Sequence, residues 1–416
     1  MKKHNWKKGC IHCHTLWSDG RNMPETAIWV YQQNGYDFVC LSDHNFSQQD
    51  PARWMEVRYD EGHWPPNLTR SEWERCQKIA PGMVETKIGG YRTYVKLNTL
   101  TRLRELFEKK DEFLLVPGVE ITTAFKGYES SPEGCSRACH MNVFNLELPP
   151  FEEPKGTVFD IVDQGLAMFQ KGMERSGNKC FFMMNHPQYH CWDIDPTIML
   201  AYPQIKFFEV CNSGSNSLKK VDIPITIESY WDFILAHRLD RGEGLLYGVA
   251  SDDAHFHVVN EGSSDACTGF VVVDCGEKFT GNGIAEAMLR GDFYSSTGVM
   301  LQEISFDKET KTLSLKVDAK PGSSYKIKFI TTKKDFDRTI RKAFYKGEEV
   351  FYDRESTVIP ENIGRCVKEV EGVSASCTME EDDLYIRAVI TSDVPGRFPS
   401  RPVYPETEQA WTQPFC

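Results

Sequence analysis

Residue types that bind metal ions recur along this chain wherever a short apolar run with strand character ends. Six such runs carry histidines or carboxylates, and they cover residues 9–14, 36–44, 113–120, 138–140, 180–186 and 245–255. Because side chains alternate between the two faces of a strand, His12 and His14 point to one side, and so do Asp253 and His255. Strand ends that each supply an imidazole or a carboxylate can build a metal centre at the carboxyl-terminal rim of a barrel. One buried histidine usually belongs to a core, whereas six ordered groups predict a metal centre.

The order of strand-like and helical runs predicts the fold class. They alternate from residue 8 to about residue 290, which favours a parallel α/β barrel over a sandwich. Pro24 suits a first helical turn and Gly35 suits a helix end, so the first helix is predicted between them. Further helices are predicted at residues 99–110, 158–175, 225–239 and 281–290.

The pattern changes after residue 300 to alternating apolar positions, which predicts a small antiparallel β domain. Its strands are predicted at residues 301–306, 312–317, 325–331, 349–352 and 384–390. This part has no pairs of metal-binding residues, so a stabilising or dimerising role is the preferred interpretation. Residues 394–416 hold five prolines, which predicts an extended tail anchored by Trp411 and Phe415. The alternative is an exposed, mobile tail.

Residues 46–98 separate the second and third metal-binding runs by far more than one helix needs. The segment is rich in aromatic side chains, among them Trp54, Trp64 and Trp73. It is either an insertion with a small aromatic core of its own or a cap over the mouth of the site. The second interpretation is open because long loops at that rim of a barrel usually shape specificity.

Composition limits the compartment and the partners of this 416-residue chain. No apolar leader with a cleavage site is visible and no apolar run reaches about 18 residues, so we expect a cytoplasmic protein without membrane contact. With a net charge of −12, the chain lacks the excess of basic residues that is typical of a protein that binds duplex nucleic acid.

Several of the fourteen cysteines lie inside apolar runs, where a free thiol packs as a small hydrophobe. Residues 10–14 match the haem-attachment spacing, but they read as a strand whose two histidines share a face.

The ordered motifs resemble those of a known family. They are His12-Cys-His-Thr-Leu-Trp-Ser-Asp-Gly20, Ser42-Asp-His-Asn45, Gly118-Val-Glu120, His140-Met-Asn142, Asn185-His-Pro187 and Ser251-Asp-Asp-Ala-His255. Over roughly residues 8–297, they look like the motifs of the polymerase and histidinol phosphatase (PHP) metallohydrolases. The nearest subgroup is the CehA/McbA-like branch. The resemblance implies a distorted (β/α)7-type TIM-like barrel at residues 1–299, followed by the small antiparallel β domain at residues 300–416.

The resemblance also implies nine metal ligands. Carried over residue by residue, they are His12, His14, Asp19, His44, Glu120, His140, His186, Asp253 and His255. In such proteins they hold three divalent ions, with Glu120 as a bridging ligand. Many relatives have histidine where this chain has Asp19, which keeps a ligand and adds negative charge. Histidines with carboxylates suit zinc, manganese or iron, and the sequence does not choose among them.

Charge favours a small anionic, phosphorylated substrate. Six neutral imidazoles, three carboxylates and three divalent ions give a centre of formally about +3. Such a centre attracts phosphate and stabilises charge that develops on its oxygens, and a metal-bound hydroxide would serve as the nucleophile.

For residues beside the ligands, the sequence predicts a role less specifically. Glu120 is expected to position the ions, and His190 or His257 could donate a proton to the leaving group, with a loop or supporting role as the alternative. Asp43 and Asp252 adjoin ligands but face the other way on a regular strand, which predicts a supporting role. Two residues of the strand near residue 210 are expected to support the site or contact substrate, and they are Glu209 and Asn212. Three cations could clamp phosphate, although solvated loop charge is the preferred interpretation: Arg21, Lys126 and Arg137.

The leading interpretation is a metal-dependent phosphoesterase that hydrolyses a small phosphorylated metabolite or a nucleotide. One alternative is a carboxylic or carbamic ester hydrolase of the CehA/McbA type, because the resemblance includes such chemistry. The other is a PHP module without catalysis, which the full ligand set argues against. Whether the chain forms a homo-oligomer stays open.

Overall fold

The protein is described by a computed structural model that covers residues 4–58, 67–126, 136–213, 223–258, 266–346, 354–397 and 405–416. Trp64 and the strand predicted at residues 349–352 lie outside the described residues. The side chains of Lys126 and His190 are outside them as well, although their backbones are described.

Helices and strands alternate through the first part of the chain. Up to residue 126 the described elements are β1 (Trp6–Cys10), α1 (Pro24–Gln33), β2 (Phe38–Leu41), β3 (Trp54–Arg58), β4 (Leu68–Thr69), α2 (Arg70–Ile79), β5 (Thr86–Gly89), β6 (Arg92–Lys96), α3 (Leu100–Phe107) and β7 (Leu114–Lys126). They continue with β8 (Ser136–Phe144), α4 (Val158–Ser176), β9 (Phe181–Met184), α5 (Tyr189–Trp192), α6 (Pro196–Ala201), β10 (Phe207–Asn212), α7 (Ile227–Asp240), β11 (Tyr247–Ser251), β12 (Phe270–Asp274), α8 (Gly281–Leu289) and β13 (Phe293–Ser296). The rest of the described chain forms strands, which are β14 (Met300–Asp307), β15 (Thr312–Asp318), β16 (Tyr325–Thr331), β17 (Arg341–Tyr345), β18 (Arg354–Val358), β19 (Arg365–Glu371), β20 (Ser374–Thr378), β21 (Arg387–Pro395) and β22 (Thr407–Thr412).

Capping residues set the limits of the long helices. Thr157 Oγ1 accepts from Asp160 N at 3.2 Å, and Asp160 Oδ2 accepts from Thr157 N at 2.9 Å, which is a capping box at the start of α4. The helix ends at Gly177, whose φ of 66° is left-handed. Thr226 and Ser229 form the same arrangement at the start of α7. Both predicted helices are therefore confirmed.

Thirteen strands form one sheet, in the order β11-β10-β9-β8-β7-β2-β1-β12-β13-β22-β21-β16-β19. β1, β2 and β7 are parallel to one another, and so are β9, β10 and β11. β8 is antiparallel to both of its neighbours, and β12 is antiparallel to β1. The segment between β7 and β8 is too short for a crossover helix, so β8 returns beside β7 as the second strand of a hairpin. The mixed α/β class is confirmed, but the strands depart from the all-parallel order of a regular (β/α) barrel.

No continuous backbone ladder closes the sheet into a barrel in the described part of the chain. β11 is an edge strand, and side chains fill the gap between it and β13. Ser295 Oγ accepts from Ala250 N at 3.0 Å and donates to Gly248 O at 2.8 Å. The side-chain amide of Gln413 accepts from Gly248 N at 3.0 Å and donates to Gly248 O at 2.8 Å.

Beyond the ends of β1 and β11 there is also a short backbone bridge, in which His14 N donates to Ala254 O at 2.9 Å and Asp253 N donates to His12 O at 3.0 Å. In place of the predicted TIM-like barrel, the structure thus has an open sheet whose gap is spanned by side chains and by this bridge.

The inward face of this sheet carries a packed apolar layer at one end. It includes Phe38, Val116, Phe144, Phe207 and Val249 from five different strands, together with Ile284 and Met288 of α8. Because alternate residues of a strand share a face, steps of two residues along four of these strands lead away from the layer to Glu120, His140, Glu209 and Asp253. The interior is therefore apolar at one end and carries ionisable side chains at the other.

Strands after residue 300 fall into two groups. β14, β15 and β20 form a three-stranded sheet and β17 pairs with β18, whereas β22, β21, β16 and β19 extend the main sheet from β13. Trp411 of β22 is buried and donates to Glu228 Oε1 at 3.0 Å, and Phe415 stacks on Phe306 with ring centroids 5.1 Å apart. The described part of the tail therefore returns to the sheet. The division into domains at residue 300 stays a prediction.

The insertion forms a layer of its own beside the main sheet. β4, β3, β6 and β5 make a four-stranded sheet, on which α2 packs. Trp73 and Leu97 lie in one buried cluster with Trp17 and Met23, which belong to the loop between β1 and α1. The aromatic core of the insertion is thus shared with a loop of the main sheet.

No helix among the described residues is both long and apolar enough to cross a membrane. The cysteines for which the structure gives a side chain are free thiols. Cys40, Cys180 and Cys211 are buried in the core, as predicted.

Candidate metal centre

The nine predicted ligands lie together at the polar end of the main sheet. They are His12 and His14 after β1, Asp19 in the following loop, His44 after β2, Glu120 on β7, His140 on β8, His186 after β9, and Asp253 and His255 after β11. β8 runs in the opposite direction to β7, so a residue near its beginning reaches this end, and His140 pairs with Thr122. The geometry brings together every residue that the motifs predict.

Glu120 is fully buried at the centre of the cluster. The distances from its Oε1 are 3.3 Å to His12 Nε2, 3.2 Å to His140 Nδ1 and 3.5 Å to His186 Nε2. The distances from its Oε2 are 2.6 Å to His44 Nδ1 and 3.3 Å to His14 Nε2. One carboxylate thus faces five imidazoles, and its predicted role as a bridging ligand stays a prediction.

Asp253 closes the inner side of the cluster. Its Oδ1 lies 2.9 Å from His14 Nε2 and 3.3 Å from His12 Nε2. Those two imidazole nitrogens are themselves 3.2 Å apart, so at least one of them presents a lone pair rather than a hydrogen. Asp253 has a φ of 50°, a left-handed backbone that costs energy and is common where a site fixes a side chain.

Asp19 lies on the outer side, between two imidazoles. Its Oδ1 is 3.2 Å from His255 Nε2, 3.4 Å from His44 Nε2 and 3.9 Å from His14 Nδ1. The rings of His44 and His255 both stack on the ring of His14, with centroids 4.1 Å and 4.3 Å from it. This arrangement places four ligand-type side chains around one point.

Three groups of side chains could each hold a metal ion. They are His14, Asp19, His44 and His255; His12, His14, Glu120 and Asp253; and His44, Glu120 and His140. In each group one ligand atom per residue lies within 4.8 Å of the others. His14, His44 and Glu120 each belong to two groups. A carboxylate can bridge two ions, whereas a neutral imidazole has one lone pair, so His14 and His44 can each complete only one group.

The polar atoms of the cluster are not satisfied by protein atoms alone. Among the described residues, no hydrogen bond of acceptable geometry reaches the buried His14 Nδ1, His140 Nδ1 or Glu120 Oε2. In the same part of the chain, the ion-pair partners of Asp19, Glu120 and Asp253 are all histidines, with no lysine or arginine. Buried carboxylates need a paired charge or a bound cation. The set of imidazoles and carboxylates therefore fits divalent metal ions.

Charges within the cluster shift its pKa values in opposite directions. Burial disfavours the ionised carboxylates, but the surrounding imidazoles hold the pKa of Glu120 and of Asp253 well below its usual range. Burial lowers the pKa of His14 to about 3, and neighbouring imidazoles act in the same direction. Burial also opposes the charged form of His44, yet Glu120 and Asp19 raise its pKa to about 10. The cluster keeps its carboxylates ionised and requires positive charge beside them.

Glu209 and Asn212 hold ligands in place, which confirms their predicted supporting role. Glu209 Oε1 lies 2.6 Å from His12 Nδ1, and Oε2 accepts from His186 N at 2.7 Å. Asn212 Nδ2 donates to Glu209 Oε2 at 2.7 Å and to Asp253 Oδ2 at 3.2 Å. A carboxylate behind a histidine fixes the ring and makes its other nitrogen a better ligand.

The motifs alone do not predict three further contacts. Asn185 Nδ2 donates to Glu120 Oε1 at 2.7 Å, and the hydroxyl of Thr122 is hydrogen-bonded to Nδ1 of His44. Asn45 accepts from Thr122 N at 2.9 Å and donates to Thr122 O at 3.0 Å. Each of these residues stands one or two positions from a ligand, which is the sequence signal for them.

Asp43 and Asp252 face away from the cluster and fix the neighbouring loops, as predicted. Asp43 Oδ1 accepts from Thr15 N and from Ser18 Oγ, both at 2.7 Å. Asp252 accepts backbone N–H bonds from residues 267–269, each at 2.7 Å. These bonds hold the loop before Asp19 and the segment that leads into β12.

A cavity of about 500 Å³ opens onto the cluster. Its lining includes Asp19, His44, Phe46, Tyr189, Asp253 and His255. Among the described residues of the insertion, only Phe46 is part of the lining, and the role of the insertion as a cap stays a prediction.

The predicted proton donors are placed differently. His257 does not line the cavity, because its ring is buried with its centroid 5.6 Å from that of Tyr31. Burial lowers the pKa of His257 to about 3. The side chain of His190 lies outside the described residues. Both roles in proton transfer stay predictions. Of the three cations that could clamp phosphate, Arg137 is buried, so the preferred interpretation as a solvated loop charge is wrong for this residue, and it does not line the cavity either.

Helix α2 of the insertion braces the loop that carries Asp19. Glu72 Oε1 accepts from Met23 N at 2.8 Å, and Glu72 Oε2 accepts from Asn22 Nδ2 at 2.7 Å. Asn22 Oδ1 in turn accepts from His257 N at 2.8 Å. This series of hydrogen bonds joins the insertion both to the Asp19 loop and to the segment after β11.

Replacement of Glu72 by alanine is expected to weaken metal binding by the group that contains Asp19, because the loop loses two hydrogen bonds. Outer contacts of this kind contribute about 10–100-fold to metal affinity or activity. Elemental analysis and kcat/KM measure the two effects. Glu74→Ala is the matched control, since Glu74 lies on the same helix in an exposed ion pair with Arg70. Equal metal content and equal activity in the two variants would contradict the bracing role.

Comparisons with known proteins give only distant likenesses. No family model matches the sequence, and no curated protein matches it. A two-domain protein from Bacteroides vulgatus that contains a predicted PHP-like metal-dependent phosphoesterase is 14% identical, over 91% of this chain and 96% of that one, with a TM-score of 0.38. A protein from Bifidobacterium adolescentis described as a metal-dependent phosphoesterase is 14% identical, over 62% and 92%, with a TM-score of 0.28. An amidohydrolase from Chromobacterium violaceum with bound sulfate is 12% identical, over 59% and 87%, with a TM-score of 0.27. Function is therefore inferred from the site itself.

Proposed function

We propose that this chain is a PHP-type metal-dependent phosphoesterase that acts on a small phosphorylated metabolite or a nucleotide. The observation that carries the proposal is the cluster of six imidazoles and three carboxylates at one end of the sheet. Within the described part of the chain, all ion-pair partners of its carboxylates are histidines, and three of its buried polar atoms have no hydrogen bond of acceptable geometry. The ordered motifs that resemble the PHP family support the same assignment.

Divalent zinc, manganese or iron ions bound by these side chains would stabilise negative charge on a substrate oxygen and lower the pKa of a water molecule. The side chains of the cluster determine where these ions would be held. Glu120 reaches two of the three groups and sets the spacing between them. Glu209 directs the Nε2 of His12 into the cluster by its contact with Nδ1. The cavity is lined by ligands from both sides of the cluster, among them Asp19 and Asp253, so we expect the substrate to enter through it.

The number of ions tests the trinuclear form of this proposal. Elemental analysis of protein purified without chelators is expected to approach three divalent ions per chain, one for each group of side chains. His14→Ala is expected to lower the number and to abolish activity, because one of the two groups that His14 can complete then lacks a ligand. A value of one or below in active protein would falsify the trinuclear proposal.

The reaction is tested with three substrates on one metal-loaded preparation. The values of kcat/KM for an aryl phosphate, an aryl phosphodiester and an aryl acetate are compared, and inorganic phosphate is tested as an inhibitor. We expect the phosphoesters to be the better substrates and phosphate to compete with them, because the metal-loaded centre is positively charged. A clear preference for the acetate without inhibition by phosphate would favour the ester hydrolase. Turnover of none of the three would favour a module without catalysis.

A further inference from the structure

An arginine and a phenylalanine are paired on one side of the cavity. Phe46 follows His44 by two residues, lines the cavity and is 47% exposed. The guanidinium carbon of Arg53 lies 4.7 Å from the centroid of this ring and 5.1 Å from that of the buried Trp17. Asn45, which pairs with the backbone of Thr122, fixes the chain between His44 and Phe46. The pair is therefore held at a defined place beside the cluster.

A second pair of the same kind follows the last ligand. Phe256 comes directly after His255 and is 42% exposed, and the guanidinium carbon of Arg21 lies 5.5 Å from the centroid of its ring. Arg21 N donates to His255 O at 2.8 Å, which ties the two segments together. Asp19 lies between the two sides, since it faces both His255 and His44. The two pairs thus flank the outer group of the cluster.

Neither guanidinium has a side-chain hydrogen bond or an ion pair within the part of the chain that the structure describes. Arg21 and Arg53 are half-buried, whereas the fully buried arginines do have such partners. Arg238 donates to three backbone carbonyls, and Arg387 donates to Asp232. Burial lowers the pKa of Arg53, with the charges of Asp43 and Asp50 only opposing that effect, so its cation is partly desolvated without a direct anionic partner.

Neither arginine lines the cavity itself, but each contacts a residue that does: Arg21 bonds to His255, and Arg53 packs on Phe46. We propose that Arg21 and Arg53 bind a second oxyanion of the substrate, a carboxylate or a phosphate, where it projects beyond the lining of the cavity. Phe46 and Phe256 hold the two guanidinium groups in place by cation–π contact. The planar fork of donors of arginine matches both kinds of oxyanion. This inference rests on the proposed function, because the first oxyanion is the phosphoester that the cluster would take. It narrows the substrate class to phosphoesters that carry a further negative group.

The experiment uses three phosphate monoesters as ligands of the metal-loaded protein in isothermal titration calorimetry. Propyl phosphate has no second anion, 2-carboxyethyl phosphate has a carboxylate in the same position, and ethane-1,2-diyl bisphosphate has a phosphate there. We expect the two esters with a second anionic group to bind about tenfold more tightly than propyl phosphate, since a charged hydrogen bond contributes about that factor. The tighter of the two identifies the oxyanion as carboxylate or phosphate.

The variants Arg53→Met and Arg21→Met are each expected to reduce this preference to about threefold or less, while metal content and the affinity for propyl phosphate stay close to those of the unmodified protein. Arg53→Lys is expected to restore only part of the preference, because lysine keeps the charge but loses the fork and the stacking. Arg92→Met is the matched control, since Arg92 belongs to the same insertion and its guanidinium pairs with Glu56 at the surface. Raised salt is expected to lower the preference in the unmodified protein.

The inference is overturned if the preference for esters with a second anionic group is absent, or if it persists in both methionine variants, because the arginines are then solvated surface charges. These outcomes are separate from failure of the proposed function. A protein that binds these esters through Arg21 and Arg53 but turns over no phosphoester retains the subsite and loses the phosphoesterase assignment. A protein that hydrolyses phosphoesters without dependence on either arginine retains the assignment and loses the subsite.

Discussion

Replacement of Glu120 by glutamine is expected to remove most of the bound metal and to lower kcat/KM by about a thousandfold, the upper range for loss of one electrostatic contact in an active site. The amide keeps the shape of the side chain but loses its negative charge. Glu120 is fully buried and faces five imidazoles, and it belongs to two of the three groups that could hold an ion. Elemental analysis and steady-state kinetics on the same preparation measure both effects.

Glu147→Gln is the matched control for this substitution, because Glu147 is exposed and, among the described residues, its carboxylate accepts from Gln49 alone. It is expected to leave metal content and kcat/KM unchanged. The central role of Glu120 is wrong if Glu120→Gln binds as much metal as Glu147→Gln and turns over substrate at a similar rate.

Asp232→Ala is expected to cost about 3–5 kcal/mol of the free energy of unfolding, the cost of breaking a buried ion pair on one side. Asp232 lies on α7, and its Oδ1 and Oδ2 accept from Arg387 Nε and Nη2 of β21 at 2.7 Å and 2.6 Å. Tyr385 also donates to its Oδ1 at 2.7 Å. The Arg387 side chain is 0% exposed, so its charge cannot reach water once the carboxylate is gone. Thermal and denaturant unfolding measure the loss.

Asp240→Ala provides the comparison, because Asp240 is on the same helix and pairs with Arg338 in a half-exposed position. An ion pair of that kind contributes about 0–1 kcal/mol. Equal losses of stability in the two variants would show that the buried pair does not hold α7 to the carboxyl-terminal strands.

The residues of the candidate site could be predicted from local pattern because each follows the period of its strand. Steps of two along β7 and β11 lead from the apolar layer to Glu120 and Asp253, so the apolar runs identify the ligands. Asp19 lies in a loop and has no such period, so its role as a ligand is predicted from its motif alone. In the structure, the loop after β1 turns back so that the carboxylate of Asp19 faces His44 and His255.

The contacts that support the site could not be predicted in the same way. Glu72 bonds to Asn22 across fifty residues, and neither position has a periodic signal. The direction of β8 depended on the short segment that joins it to β7, whereas the alternation of strands and helices favoured a parallel strand. Side chains that replace a backbone ladder, such as Gln413 at Gly248, also leave no local pattern. Sequence periodicity therefore does not predict long-range contacts between single polar side chains.

The position of β22 has a consequence for the order in which the protein can acquire its structure during synthesis. β22 is the last of the described strands in the chain, yet it lies between β13 and β21 within the main sheet. Until it has left the ribosome, β13 has an unpaired edge and the gap beside β11 lacks the amide of Gln413. An open strand edge on a nascent chain is a site for wrong pairing with other chains. Translation must therefore pass residue 413 before the nascent sheet can reach its final pairing, and factors that shield strand edges would act on this protein until then.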